Sequence, residues 1–423
     1  MHKQYYPLLD ETLYTHTLPN GLTVLVCPKP GFTRKEAYFV TDFGAIHTEF
    51  SLEGQHHSVP AGVAHYLEHK MFELPGRDVS GEFAEMGAAV NAFTSFDLTA
   101  YYFSCTENFD ACLKLLLEFV STPYFPAESV LREQGIIDQE IGMNADDPNT
   151  QVFERLTAGM YRQHPIRVPI LGTCQSIREI SPEILALCHK AFYNPANMLL
   201  CIVGDVEPEA VCALATQVLG DSPRPAGVKD PDVVEDMTCQ LDNTSTHMDI
   251  GMPAFCLGFK CEPTGRGEEA IRQEFIADLA CEALLGESSQ LYLQLYEEGI
   301  IDGSFGGGFE TSDGCAMLTC GGDSFYPEQI LPRVVEAAQK LVVEGIGEAD
   351  LLRMKRSALG RRIRDLDSFD STCFRLCAYH MSGYDYFRFP ELYGSITSQQ
   401  LQDFLARVIQ PQRSCLSVIY PND

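Results

Sequence analysis

The feature that most constrains the fold of this 423-residue chain is an echo between its two halves. Ile180-Ser181-Pro182-Glu183 leads through a helix-like stretch to Pro195 and the apolar run Leu199-Leu200-Cys201-Ile202-Val203. Ile396-Thr397-Ser398-Gln399 leads in the same order to Pro411 and Cys415-Leu416-Ser417-Val418-Ile419, 216 positions later at both landmarks. Self-similarity at a fixed offset marks a duplicated structural unit. The chain therefore reads as two related α+β domains, each an antiparallel-rich mixed sheet with helices packed on one face. Length agrees, at roughly 150 residues per domain.

Local signals fill in the units. Asn20-Gly21 between Leu18 and an apolar run is a hairpin signal. Strands are expected over 37–44, 99–105 and 197–203, and helices over 61–72, 108–122 and 127–143. Ser181-Pro182, a capping residue followed by proline at the first helical position, opens a helix to about Phe192. Turn-rich Asp221-Ser222-Pro223-Arg224-Pro225-Ala226-Gly227, followed by an acidic polar stretch, places a linker over 221–245. The expected domains are thus 1–220 and 246–423. In the second, strands are expected near 252–260, 303–311 and 316–321, and a helix over 268–285.

Composition narrows the function classes. With 45% apolar and 21% charged residues the chain is globular and can build sizeable cores. A net charge of −29 repels nucleic acid and anionic lipid, so neither is an expected partner. Such a charge marks a self-repelling surface, or an acidic interior that attracts basic peptides. No run is long and apolar enough to span a bilayer, and Met1-His2-Lys3-Gln4-Tyr5-Tyr6-Pro7 has no signal-peptide core. Sixteen cysteines without any C-x-x-C pair read as buried free thiols in a reducing cytoplasm. His47, His56 and His57 read as loop or surface histidines, and Asp365, Asp367 and Asp370 as a solvated turn. There is no G-x-S-x-G elbow, and Gly306-Gly307-Gly308 lacks the context of a phosphate loop.

The run His65-Tyr66-Leu67-Glu68-His69 carries the chemistry. Residues i and i+4 of a helix share a face, so His65 and His69 aim two imidazoles at one point. That suits two ligands of a tetrahedral zinc. Glu68 can reach beside the metal and accept a proton from water there. A catalytic zinc needs a third protein ligand. Glu133 and Glu140, seven apart on one helix, share a face. One of them can ligate, and the other can accept the free N–H of a ligand histidine.

At this point a resemblance enters. Gly62-Val63-Ala64-His65-Tyr66-Leu67-Glu68-His69-Lys70-Met71-Phe72 resembles the inverted zinc motif of the pitrilysin/insulinase metallopeptidases. Asn91-Ala92-Phe93-Thr94-Ser95 is similar to that family's "N-A-x-T-S" strand, and Glu133-Gln134-Gly135-Ile136-Ile137-Asp138-Gln139-Glu140 to its ligand helix. His164-Pro165, Gly172 and Tyr193-Asn194-Pro195-Ala196-Asn197-Met198 follow in the family's order. The resemblance implies Zn2+ held by His65, His69 and Glu140, with Glu68 as general base and Glu133 supporting a ligand histidine. It implies that Asn91 and Ala92 lie on an edge strand that pairs with an extended peptide substrate. It also implies half of a clamshell chamber, and a short bacterial type encoded in pairs, similar to a peptidase linked by name to elongation factor P modification. The separation of His69 and Glu140, shorter than the family pattern, fits a shortened loop near 75–79.

One departure stands out. Active relatives use an arginine and a tyrosine from a second-half stretch of the form "L-R-E-x-x-G-x-x-Y". Here Leu295-Tyr296-Glu297-Glu298-Gly299-Ile300-Ile301-Asp302 puts Tyr296 at the arginine position and Asp302 near the tyrosine position. An ionised acid cannot donate to an oxyanion. The expectation is a zinc endopeptidase that works as a homodimer or as a heterodimer with an insulinase-like subunit supplying the Arg/Tyr pair. The contrasting class is a non-catalytic peptide-binding or scaffold subunit.

Overall fold

The structure is a computed structural model that describes residues 1–230 and 233–422. Contacts divide these residues into two units, the first made of 1–141, 169–230 and 362–388, the second of 142–168, 233–361 and 389–422. Neither is a contiguous stretch of sequence. The linker expected over 221–245 includes residues 231 and 232, which lie outside the described residues.

The first unit is built on seven strands: β1 His2–Tyr6, β2 Glu11–Thr17, β3 Thr23–Pro28, β4 Lys35–Thr41, β5 Ala89–Thr94, β6 Thr99–Cys105 and β7 Met198–Gly204. Their order is β1-β2-β3-β7-β4-β6-β5. The Asn20-Gly21 signal makes the β2–β3 turn. Gly21 takes a φ of 95°, in the left-handed region that glycine enters without strain, and Asn20 Oδ1 accepts the Leu22 amide at 3.0 Å. β7 is parallel to β3 and antiparallel to β4, with Leu200 opposite both Val24 and Phe39.

Alternate residues of these strands feed two packed faces. Val24, Phe39, Tyr101, Phe103, Leu200 and Ile202 join one core with the helices Val63–Met71, Phe109–Ser121 and Pro182–Phe192. Tyr38 and Cys201 point the other way, towards the helix Phe369–Met381, where the Tyr38 hydroxyl donates to Asp370 at 2.5 Å and the Cys373 Sγ lies 4.0 Å from the Cys201 carbonyl. This is why β7 is buried at every position. A strand covered on both faces reads as a continuous apolar run.

The second unit repeats the plan with β8 Asn243–Met248, β9 Ala254–Cys261, β10 Gly306–Ser312, β11 Cys315–Asp323 and β12 Ser414–Pro421, in the order β8-β12-β9-β11-β10. β12 is parallel to β8 and antiparallel to β9, as β7 is to β3 and β4. β7 begins at Met198 and β12 at Ser414, so the 216-residue offset lands strand on strand.

The two-domain α+β plan with mixed sheets is therefore present. One detail differs from expectation: helices cover both faces of each sheet. In the second unit the helix Pro148–Met160 lies on β12 and β9. It comes so close that a Cβ at Gly258 would sit 2.6 Å from Met160 Sδ and 3.0 Å from Leu156 Cδ2. β8 falls partly inside the expected linker. Its polar sequence, Asn243-Thr244-Ser245-Thr246-His247-Met248, gives no apolar alternation because it is an edge strand.

All sixteen cysteines are free, and fourteen are buried, so they serve as small core residues. No helix among the described residues is long and apolar enough to cross a membrane.

Candidate metal centre

Two helices of the first unit carry the site. The motif helix Val63–Met71 starts from Gly62, whose φ is 90° and where a Cβ would lie 2.4 Å from the Leu171 carbonyl oxygen. Any larger residue would push these segments apart. Val63, Ala64, Tyr66, Leu67 and Met71 enter the core. His65, Glu68 and His69 occupy the remaining face, and the two imidazole centroids are 4.6 Å apart.

The carboxylate helix Ala127–Ala145 anchors through Val130 and Ile137, seven residues apart in the same core. Glu133 and Glu140 follow each anchor by three residues, so both turn towards the histidines. The Tyr66 hydroxyl donates to the Val130 carbonyl and ties the two helices together.

His65 Nε2 lies 3.6 Å from Glu140 Oε1, and His69 Nε2 lies 3.6 Å from Glu140 Oε2. One donor atom from each of the three residues falls within 4.8 Å of the others. A tetrahedral zinc with bonds of about 2.1 Å sets its donors about 3.4 Å apart. The donor spacing and the chemistry of the set, two imidazoles and one carboxylate, therefore fit that ion and leave a fourth position open.

Electrostatics separate the two histidines. Burial lowers the His65 pKa to about 3, with His69 adding to the effect, so its ring is neutral and its lone pair free. Its Nδ1 is buried without a hydrogen-bond partner. His69 is held from behind, with Nδ1 3.0 Å from Glu133 Oε1. Burial opposes its charged form, but the Glu133 hydrogen bond and the Glu68, Glu133 and Glu140 carboxylates outweigh this and raise its pKa. The hydrogen bond to His69 in turn holds the Glu133 carboxyl below its usual range, aided by Lys70. A metal competes with the proton for such a ring.

Glu68 is buried, and burial pushes its carboxyl up. The Thr94 hydroxyl donates to its Oε2 at 2.7 Å. Thr94 ends β5, the edge strand, which also carries Asn91 and Ala92 and pairs only with β6. The Ala92 amide donates to Asn91 Oδ1 at 2.9 Å.

The hairpin joining Glu73–Leu74 to Arg77–Asp78 occupies the loop expected to be short, with Gly76 at a φ of 67°. Exposed His56 sits between Asp230 at 2.9 Å and Glu49 at 3.2 Å, a surface arrangement. In the second unit Tyr296 is exposed at the end of the helix Gln290–Glu297. Asp302 accepts the Ser304 amide and hydroxyl, which hold its carboxyl below the usual range.

The family model for insulinase (Peptidase family M16) matches residues 55–174, and that for the Peptidase M16 inactive domain matches 179–358. A Bacillus subtilis protein named uncharacterized zinc protease YmfH is 35% identical over 98% of this chain and 98% of its own. The chain belongs to the M16 (insulinase) peptidase family. An M16-like peptidase from Alicyclobacillus acidocaldarius, known from its crystal structure, is 30% identical with a TM-score of 0.93, over 97% of this chain and 99% of the other. Pitrilysin, at 15% identity and a TM-score of 0.79, shares the M16 fold over 99% of this chain and 46% of its own. None of these names refers to elongation factor P, so that link stays a resemblance.

Two residues of this candidate site were not singled out from sequence. Thr94 was within reach, since it lies in the quoted Asn91-to-Ser95 segment. Lys70 lies in the quoted motif as well, directly after His69 and before the apolar Met71 and Phe72.

Proposed function

We propose that this chain is a zinc-dependent metalloendopeptidase acting on unstructured peptides within an enclosed chamber. His65, His69 and Glu140 hold the ion, and Glu68 is the general base. The observation that carries the reading is the convergence of those three donor groups, with Glu68 alongside on the same helix face. The zinc-protease name of the relative at 35% identity supports it.

When bound, zinc supplies Lewis acidity, lowering the pKa of water towards ~7 and polarising a carbonyl. The rest falls to the chain's own residues. The Glu68 carboxylate accepts the proton of the attacking water and returns it to the departing amine. Thr94 holds the carboxylate for that transfer. Glu133 fixes the His69 tautomer and ring. The free edge of β5 at Asn91 and Ala92 receives an extended substrate by strand addition. The incoming strand replaces Asn91 Oδ1 as the partner of the Ala92 amide.

A partner subunit, a second copy or an insulinase-like chain, supplies the arginine and tyrosine that Tyr296 and Asp302 do not provide. The test is twofold. Glu68→Gln keeps one zinc per chain and loses ~10³-fold or more in peptide cleavage, read by metal analysis and a quenched-peptide assay. Persistent cleavage in that variant removes the base assignment. Full turnover by the chain in monomeric form removes the partner.

A further inference from the structure

Lys70 follows the ligand histidine directly and is almost wholly buried, at 1% exposure. Its ammonium meets the Glu73 carboxylate, the Ser129 hydroxyl at 2.6 Å and Glu133 Oε2 at 3.6 Å. Ser129 also donates to Glu73, so the four groups form one cluster. Ser129 and Glu133 are one turn apart on the carboxylate helix. Lys70 therefore closes the seam between the two helices that carry the metal site. A buried ammonium is costly unless paired, and an apolar side chain fills such a seam without that cost. Fold stability alone gives this lysine no reason to be there.

We propose that Lys70 is a positioning residue for the metal centre, acting through Glu133 on His69. The inference rests on the reading of His65, His69 and Glu140 as zinc ligands. Glu133 has two oxygens with two duties: Oε1 faces His69 Nδ1 at 3.0 Å, and Oε2 faces the Lys70 ammonium. The cation opposes rotation of the carboxylate away from the imidazole. It also offsets repulsion between Glu73 and Glu133, the two carboxylates it lies against. With Glu133 fixed, the His69 ring keeps Nε2 turned towards Glu140. Ligand-supporting groups of this kind govern metal affinity as strongly as catalysis.

The test is zinc affinity of the full chain by chelator competition, with cobalt(II) absorption reporting ligand geometry. Lys70→Met lowers zinc affinity by ~10–100-fold and shifts the cobalt spectrum. Lys70→Arg, which keeps the cation, recovers most of the affinity. In a Glu133→Gln background Lys70→Met changes affinity by less than about threefold, because the two residues act in series. If Lys70→Met does not fold, Lys70→Gln, polar but uncharged, carries the same expectation. Unchanged affinity in these variants, or equal losses with and without Glu133, overturns the inference. A parent chain that binds no zinc, or binds it equally well as His65→Ala, removes the underlying reading. Normal zinc binding through His65 with an indifferent Lys70 removes this inference alone.

Discussion

Thr94 is a single hydroxyl whose removal isolates one step of the proposed chemistry. It donates a hydrogen bond to Glu68 Oε2 at 2.7 Å from a different element. Thr94→Val keeps the shape and removes the donor. A hydrogen bond to a charged group is worth roughly 1.5–3 kcal/mol. Its loss also lets burial push the Glu68 carboxyl higher still. We expect kcat to fall by about tenfold or more while zinc stoichiometry holds, measured by steady-state cleavage and metal analysis. An unchanged kcat removes Thr94 from the base's support. At this scale the ligand candidates were legible because helical spacing alone puts His65 beside His69 and Glu133 on the same helix face as Glu140. Spacing left the two glutamates interchangeable, and only the resemblance distinguished them. The Thr94–Glu68 contact was not legible, because it depends on where an edge strand meets a helix 26 residues earlier in the chain.

Elements were legible where their own residues carry the pattern. β7 and β12 announce themselves as apolar runs, and Ser181 caps the helix Pro182–Phe192 as its sequence suggests, accepting the Ile184 amide. The helices covering the second face of each sheet were not placed, since Pro148–Met160 and Phe369–Met381 lie far in sequence from most strands they cover. A small clue existed in Gly258, a glycine within the apolar strand β9. Glycine in a strand often marks close backbone approach. Gly258→Ala gains slightly in strand propensity, but its Cβ meets Met160 Sδ at 2.6 Å and both Leu156 methyl carbons at 3.0 and 3.2 Å. Methionine can yield, whereas two branched methyls cannot yield together, so overpacking wins. The expected cost is ~1–3 kcal/mol in urea unfolding. A midpoint equal to or above that of the parent contradicts the close packing.

For the molecule as a whole, two buried groups of the first unit make opposite contributions to the pH dependence of stability. His189 Nε2 donates to the Val120 carbonyl at 3.1 Å, and burial lowers the pKa of the ring to about 4. The unfolded chain regains the ordinary value of 6.5, so between about 4 and 6.5 it binds more protons than the folded one. Stability from this group therefore rises with pH across that window. Glu36 behaves in the opposite sense. Burial raises its carboxyl from 4.5 to about 7, although Arg34 pulls it back. Between those values the folded chain holds a proton that the unfolded chain has released, so stability falls as pH rises. Where the windows overlap, one slope masks the other. Glu36→Gln removes the falling contribution and leaves that of His189. Relative to the parent, the variant gains about 1.4 kcal/mol of stability for each pH unit through the middle of the Glu36 window. Urea unfolding of both proteins in chelator, at about pH 5 and about pH 6.5, measures the difference. Parallel stability curves mean that Glu36 titrates in the fold as it does in water.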